Sequence, residues 1–178
     1  KGHPENKNRL VAVMKAATAP GLSSRLIRIA PEAASSETLS LIHTDRYIDS
    51  VRILGKGFLD NDTYIAPRSF EAASCAVGAV TAAVDSCLSG RTDRVFCAVR
   101  PPGHHAEKRC AMGFCVFNNV AIAARYSRNA GYKKIFIVDF DAHHGNGIQH
   151  AFEEDDDIFY FSSHQFPHFP RTGGASEK

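Results

Sequence analysis

The sequence lacks a strong excess of charge of either sign. Its 21 Lys and Arg residues nearly balance 19 Asp and Glu residues, and the formal net charge is +2, without a block of five basic residues. Proteins that bind nucleic acid or acidic membranes through charge carry a clustered basic excess. We find no apolar run near the ~18 residues of a membrane span and no apolar leader in the first ten residues. We therefore expect neither a direct nucleic-acid partner nor a membrane.

The five cysteines lack the even count and the paired spacing of a disulfide framework. They stand at positions 75, 87, 97, 110 and 115, four of them among apolar or small residues, where a free thiol behaves as a small hydrophobic group. Cys110 and Cys115 alone would form a poor zinc knuckle. We expect free thiols in a reducing compartment and a cytoplasmic protein.

Internal repeats, low-complexity tracts and linkers are also lacking. The 178 residues are 44% apolar and 22% charged, which is ordinary for a globular protein and unlike a disordered one. Residues 1–178 are therefore expected to form a single domain with a core of its own.

Strand and helix patterns alternate along the second half of the chain. Apolar, β-branched segments predict buried strands at 94–99, 134–140 and 158–163. Helices are predicted at 69–89, before the first of these strands and with Ser69 as the N-cap, and at 116–130, between the first and second strands. This alternation is typical of an α/β fold with a parallel sheet, whose functional sites lie beyond the carboxyl ends of the strands.

The remaining segments receive simpler predictions. These are a helix at 9–17 that Pro20 and Gly21 stop, a short extended piece at 39–44, a helix at 45–54, a polar loop at 55–69 and a short helix at 147–154.

Two carboxylates and two histidines directly follow the strand predicted at 134–140. In extended backbone Asp139, Asp141 and His143 project to one side, so Asp141 and His143 converge if the extension continues through Ala142. A carboxylate oxygen and an imidazole nitrogen suit Zn²⁺, with iron and manganese as alternatives. An isolated Asp-x-His pair more often only stabilises a loop, but the glycines that follow indicate close approach to another group.

Two adjacent histidines, His104 and His105, follow the strand predicted at 94–99. Proline stiffens the stretch RPPGHHA and Gly103 permits close approach, so a bend could bring both imidazoles to one cavity. Histidine titrates near neutral pH and is the usual general acid–base group. A histidine pair on a loop is also common surface decoration, and Phe114 fits a channel wall or a plain core.

Four motifs in this order resemble the histone deacetylase family and its bacterial relatives, the acetylpolyamine amidohydrolases and acetoin-utilisation proteins. They are RPPGHHA, GFCVFNN, VDFDAHHGNG and SSHQFPHFPRTGG, while GHPENKNRL, HTDRYIDSV and DNDTYIAPRSFEAA resemble the opening segments of that family. The resemblance covers nearly the whole chain. It implies a truncated arginase/deacetylase-like α/β fold, in which a parallel sheet is flanked by helices in three α/β/α layers.

The resemblance also implies an activity and a set of site residues. The family is zinc-dependent and hydrolyses the amide of acetyl-lysine, an acetylated polyamine or another small acylated amine. Asp141 and His143 match two zinc ligands, whereas the third ligand, another Asp, has no match in the chain. His105 matches the general base and acid, and His104 matches a histidine that gives electrostatic support.

Two further positions match the partners of these histidines. Asp139 matches the residue that orients His104. Asn146 stands where many relatives carry Asp as the partner of His105. An amide cannot supply the charge that raises the pKa of an imidazole, so we expect His105 to be less basic than with an Asp partner.

The resemblance extends to a substrate channel and to structural K⁺ ions. Gly113, Phe114 and Phe169 match the channel for the acyl chain, and Asp62 loosely matches a residue at its rim. The residues that match the first K⁺ site are Asp139, Asp141, His143, Ser162 and Ser163. Those that match the second K⁺ site are Phe152, Asp155 and Ile158.

The match covers about half of the family's catalytic domain, and the oxyanion-stabilising tyrosine also has no match. We therefore expect an incomplete fragment that binds zinc weakly and turns over poorly, since one oxyanion donor is worth ~100-fold or more in rate. One alternative is a non-catalytic relative that binds acylated ligands or partners. Another is an arginase-type hydrolase with two manganese ions, against which Asn146 and the tandem histidines argue. Association into a homo-oligomer stays open.

Overall fold

The computed structural model describes residues 3–177, which contain helices and two small sheets joined by long irregular segments. The helices are α1 (Asn8–Ala17), α2 (Ser36–Leu39), α3 (Asp45–Leu54), α4 (Ser69–Leu88), α5 (Asn119–Asn129) and α6 (Asn146–Phe152), with a 3-10 turn at Ser23–Arg25. The strands are β1 (Gly57–Phe58), β2 (Tyr64–Ile65), β3 (Ile135–Asp139) and β4 (Ile158–Ser162). The helices predicted at 9–17, 45–54 and 147–154 are confirmed to within two residues.

Strands β3 and β4 form a parallel pair, as predicted. Their register runs from Ile135 opposite Ile158 to Asp139 opposite Ser162. One face of the pair carries Ile137 and Ile158, which pack against α5 and α6 in a buried apolar cluster. The carboxyl ends of both strands therefore meet at one edge, above a firmly packed layer.

The other face of the pair is exposed, so the prediction of strands buried on both faces is wrong. Phe136 is 62% exposed and Phe159 is 66% exposed, and Val138, Phe140 and Phe161 are also exposed. Alternate residues of a strand point to opposite faces, and within residues 3–177 the helices cover only the face of Ile137.

The strand predicted at 94–99 is not formed. Within the described part of the chain this segment has no ladder partner. Its Val99 amide donates to the carbonyl oxygen of Cys97 at 3.1 Å, which is a local turn contact, and Phe96 is 79% exposed. A strand needs the donors and acceptors of a neighbouring strand, and an apolar sequence does not supply that neighbour.

The loop predicted at 55–69 contains a short hairpin. Gly57 pairs with Ile65 and Phe58 with Tyr64 in antiparallel register. Between the strands, Asp60 Oδ1 accepts the backbone N–H groups of Asp62 and Thr63 at 3.0 and 2.6 Å. This Asp-centred turn reverses the chain and brings the two short strands together.

At two places the hydrogen bond of a serine hydroxyl makes the local structure differ from the prediction. Ser35 Oγ accepts the Thr38 amide at 3.3 Å and so caps α2, which is followed by a turn in place of the extended piece predicted at 39–44. Ser69 is the first residue of α4 and not its N-cap, because its hydroxyl accepts the Ala66 amide at 2.9 Å.

Helix α4 packs against α5 and against the segment before α2. At Gly78 the helix approaches this segment so closely that an added Cβ would lie 1.8 Å from the carbonyl oxygen of Glu32. An 18-residue window of α4 has a mean hydropathy of 1.2, which corrects the expectation that no stretch reaches the length and composition of a membrane span. One third of this window is buried within the described residues, on the side of α4 that carries Ala73, Val77 and Gly78.

Candidate active site

Strand β3 ends at Asp139, and the chain beyond it turns instead of staying extended. Asp139 Oδ1 accepts the Asp141 amide at 3.1 Å, and Asp141 Oδ1 accepts the His143 amide at 2.8 Å. Aspartate carboxylates commonly capture the amide two residues further on and so form turns. The predicted extension through Ala142 is therefore wrong, although the side chains converge by this other route.

Asp141 and His143 form the pair of potential metal ligands. Asp141 Oδ1 and His143 Nδ1 lie 3.2 Å apart, and the two side chains are 51% and 50% exposed. In a tetrahedral zinc site with bonds of about 2.0–2.1 Å, neighbouring donor atoms lie about 3.3 Å apart. The pair thus fits two corners of such a site, while residues 3–177 contain no group of three or more His, Cys, Asp or Glu side chains placed to hold a metal.

The tandem histidines lie beside this pair, on a loop that neighbouring backbone holds in place. The rings of His104 and His105 are 3.9 Å apart, and the ring of His105 lies 6.0 Å from that of His143. The Gly147 amide donates to the carbonyl oxygen of His104 at 3.0 Å, and Asn118 Nδ2 donates to that of Ala106 at 3.1 Å. The starts of α5 and α6 therefore fix the loop.

Asp139 contacts His104, as the resemblance implied. His104 Nδ1 and Asp139 Oδ2 are 2.9 Å apart. Burial alone would raise the pKa of Asp139, but the hydrogen bond and charge of His104 outweigh it and hold this pKa below its usual value. The carboxylate is therefore ionised at neutral pH and favours a proton on His104 Nδ1.

Tyr160 adds a contact that the sequence did not reveal. Its hydroxyl donates to Asp139 Oδ2 at 3.2 Å and accepts the Gly145 amide at 3.1 Å. A Cβ at Gly145 would lie 2.4 Å from Asp139 Oδ2, so this position requires glycine. The sequence feature that could have indicated this contact is the hydroxyl of Tyr160, which stands among apolar residues on the inward face of β4.

His105 is buried and pairs with Asn146. Its Nδ1 lies 2.8 Å from Asn146 Oδ1. Burial, followed by repulsion from His104, lowers the pKa of His105 to about 4, and the Asn146 hydrogen bond only partly opposes this. The ring is thus neutral at pH 7 and can accept a proton.

The predicted channel residues occupy different positions around His105. Gly113 has φ 55°, and a Cβ there would lie 2.4 Å from His105 Cδ2. The Phe169 ring packs edge-on against His105 and His143 at 5.0 and 6.0 Å. The Phe114 ring packs instead against His3 at 4.7 Å. Gly113 and Phe169 therefore border the histidines, whereas Phe114 lies toward the N-terminal segment.

Asp62 lines a separate cavity of about 290 Å³ that also borders Phe114, Thr63 and the Glu5–Arg100 ion pair. Partial burial raises the pKa of Asp62. Thr63 Oγ1 accepts the Phe114 amide at 3.0 Å, which fixes this wall. The structure thus groups Asp62 with Phe114 and not directly with the histidines.

The residues expected at K⁺ sites fall into two groups. The carbonyl oxygen of Asp139 accepts the Ser163 amide at 2.9 Å, and Ser162 Oγ lies 2.8 Å from His164 Nδ1, near the carboxyl ends of the strands. Phe152, Asp155 and Ile158 lie where α6 leads into β4.

Sequence reasoning also missed Glu107 and His150. Asn146 Nδ2 donates to Glu107 Oε1 at 2.6 Å, and His150 Nδ1 lies 2.8 Å from the same oxygen. The sequence feature that could have drawn attention to Glu107 is its place two residues after His105. Nothing in the sequence shows that the Glu107 side chain contacts Asn146.

Comparison with known proteins identifies the relatives of this chain. The histone deacetylase domain family matches residues 3–178. The human (Homo sapiens) polyamine deacetylase HDAC10 is 41% identical over 174 residues, which cover 92% of this chain and 26% of that protein. A probable deacetylase of Methanothermobacter thermautotrophicus is 38% identical over 182 residues, which cover 99% of this chain and 54% of the relative.

A solved structure has the same fold. The crystal structure of the HDA15 HD domain matches with a TM-score of 0.94 and 36% identity, over 98% of this chain and 53% of that one. The arginase/deacetylase-like α/β fold is thereby confirmed, and the chain spans about half or less of the length of these relatives. Since the family match covers nearly all of its residues, the chain belongs to the histone deacetylase domain family.

Proposed function

We propose that this chain supplies the metal-binding and proton-transfer side chains of a zinc-dependent deacetylase. Its substrate would be an acetylated lysine, an acetylated polyamine or a similar acylated amine. The observation that carries the proposal is a buried, neutral His105 beside the Asp141–His143 pair, with its Nδ1 engaged by Asn146. The names of two relatives, a polyamine deacetylase and a probable deacetylase, support the same reaction.

Asp141 and His143 would hold the zinc ion together with a third ligand. The chemistry that zinc supplies when bound is Lewis-acid activation of the amide carbonyl and of a water molecule. Because the two donor atoms are already 3.2 Å apart, these side chains need little rearrangement to share a metal ion.

The histidines would transfer a proton from the attacking water to the leaving amine. His105 Nε2 takes a proton from the attacking water as the new C–O bond forms, and returns it to the amine nitrogen as the C–N bond breaks. Burial, and to a smaller extent the neighbouring His104 that Asp139 holds at 2.9 Å, lowers the pKa of His105. The lowered pKa favours release of the proton to the leaving amine.

Two substitutions separate metal binding from proton transfer. Asp141→Ala removes one of the paired donors, so we expect zinc affinity measured by calorimetry to fall at least tenfold. His105→Ala is expected to keep zinc affinity within about twofold, because His105 is no ligand, and to abolish hydrolysis of acetyl-lysine peptides and acetylated polyamines by a protein that carries the full domain.

The matched control for the loss of one imidazole is His3→Ala. His3 is exposed and lies against Phe114, so zinc affinity should not change. Equal zinc affinity of wild type and Asp141→Ala would contradict the assignment of the ligand pair. Full activity of His105→Ala would contradict the assignment of the base.

A further inference from the structure

The Asn146 side chain connects His105 to a carboxylate. Asn146 Oδ1 lies 2.8 Å from His105 Nδ1, and Asn146 Nδ2 lies 2.6 Å from Glu107 Oε1. His150 Nδ1 lies 2.8 Å from the same Glu107 oxygen. Four side chains, two from the loop that carries His104 and His105 (residues 103–107, the histidine loop) and two from α6, thus form one chain of hydrogen bonds that starts at His105.

The chemistry of these groups allows only one orientation of the Asn146 amide. An ionised carboxylate accepts hydrogen bonds and cannot donate them, so Glu107 must face the NH₂ group of Asn146. That NH₂ group also faces the carbonyl oxygen of His105 at 3.4 Å, a second group that can only accept. The orientation of an amide has to be inferred from its hydrogen-bond partners. Here the Glu107 carboxylate and the His105 carbonyl oxygen both require the NH₂ group on their side.

The orientation of the amide in turn fixes the tautomer of His105. With its NH₂ group engaged by Glu107, Asn146 presents an oxygen to His105 Nδ1. An amide oxygen only accepts, so Nδ1 must carry the proton and Nε2 keeps its lone pair.

The backbone of Glu107 is itself held on both sides. Its amide donates to the carbonyl oxygen of Cys110 at 2.9 Å, and its carbonyl oxygen lies 2.9 Å from Nδ1 of the buried His43. These contacts fix the backbone from which the Glu107 side chain extends, and His150 holds the carboxylate at the end of that side chain. Glu107 is therefore a fixed reference point for the amide.

We propose that Glu107 is a positioning residue that sets the protonation pattern of His105 through the Asn146 amide. Glu107 keeps the proton on Nδ1 and leaves Nε2 free as the base. Only the use of that lone pair rests on the proposed function, because the tautomer is a property of this chain without metal or substrate.

The pairing also explains why position 146 carries an amide. An Asp at this position would place two carboxylates about as close as the 2.6 Å that now separates Asn146 Nδ2 from Glu107 Oε1. Like charges at such a separation cannot both stay ionised without a large cost. Here the negative charge lies at Glu107, one amide further from the imidazole.

The tautomer can be read directly by NMR of the chain labelled with ¹⁵N in its histidine rings. At pH 7 His105 is neutral, and its signals are identified by their loss in His105→Gln. In the wild type we expect the Nδ1–H form. In Glu107→Leu the acceptor is lost, so the amide can turn over and the Nε2–H form, which free imidazole prefers, should become at least as populated.

Two further variants show whether the carboxylate acts through this contact. Glu107→Gln keeps an acceptor oxygen and should keep the Nδ1–H form. The control Glu154→Leu removes an exposed carboxylate of the α6–β4 connection and should leave the tautomer unchanged. A wild type in the Nε2–H form, or a folded Glu107→Leu that keeps the wild-type tautomer, would overturn the proposal.

A charge exchange tests the same contact through stability. Asn146→Asp should lower Tm because of the two facing carboxylates, and adding Glu107→Gln should recover more than half of that loss. A double variant no more stable than Asn146→Asp would contradict the proposal. A failure of zinc binding or hydrolysis would sink the proposed function while leaving the tautomer and Tm results intact.

Discussion

At the scale of single residues, His43 shows how one buried ring ties the site to the core. The ring lies 2.9 Å through Nδ1 from the carbonyl oxygen of Glu107, and its Nε2 accepts the Asn118 amide at 2.9 Å. A protonated Nε2 could not accept that hydrogen bond. Burial lowers the pKa of His43 to about 4, so the folded chain keeps this ring neutral in mild acid.

Stability should therefore fall in mild acid. Below its usual pKa of about 6.5 the unfolded state binds a proton at His43 that the folded state refuses until about pH 4. The free energy of unfolding should decrease across this window by up to roughly 3 kcal/mol from His43. Urea titrations at several pH values between 7 and 4 measure the slope.

Variants assign this slope to its source. His43→Gln should flatten the pH dependence while costing stability at pH 7, and His3→Gln, which alters an exposed ring, should leave the dependence unchanged. His105, with its pKa also near 4, contributes in the same window, so His43→Gln flattens only part of the slope. An unchanged slope in His43→Gln would refute a neutral buried ring.

At the scale of elements, the sequence predicted most accurately those segments whose structure depends on local chemistry alone. Helix α3 was predicted with its observed bounds. The parallel pairing of β3 and β4 was also predicted, but from the alternation of strands and helices and not from local chemistry. The segment at 94–99 was mispredicted because a strand depends on a distant partner. Asp139, Asp141 and His143 came from a motif, but their convergence through carboxylate–amide turns and the link from Asn146 to Glu107 depend on three-dimensional contacts.

Gly78 supports a prediction about α4. Replacing glycine with alanine inside a helix ordinarily stabilises it by about 0.5–1 kcal/mol. Here the added Cβ would lie 1.8 Å from the Glu32 carbonyl oxygen, so α4 must separate from the segment that Ala34 joins to Ser74 by a backbone hydrogen bond of 3.0 Å. We expect Gly78→Ala to destabilise by about 1–3 kcal/mol, measured by chemical unfolding.

The control for this substitution is Cys75→Ala, on the exposed side of α4, which should change stability by less than about 0.5 kcal/mol. A Gly78→Ala chain as stable as the wild type would show that Glu32 moves away at little cost.

At the scale of the whole molecule, one face of the β3–β4 pair exposes several large apolar side chains. Its aromatic and aliphatic residues are Phe136, Val138, Phe140, Phe159 and Phe161. The rings of Phe136 and Phe159 lie 5.5 Å apart on this face, and contiguous apolar patches promote association.

We expect this face to drive association of the isolated chain. Phe136→Lys with Phe159→Lys should lower the apparent mass at high concentration in light scattering and should reduce binding of an apolar dye. Both rings are mostly exposed, so the free energy of unfolding should change by less than about 1 kcal/mol. Association that persists unchanged in the double variant would show that the chain associates through another surface.

The contacts that hold the histidine loop span long stretches of sequence. His104 and Asp139 are 35 residues apart, His105 and Asn146 are 41 apart, and His43 and Glu107 are 64 apart. Closing such loops costs entropy that only docked elements repay. The histidine loop should therefore reach its final geometry late in folding, after the helices and the parallel pair have assembled. Substitutions in this loop should then mainly accelerate unfolding and leave the folding rate nearly unchanged.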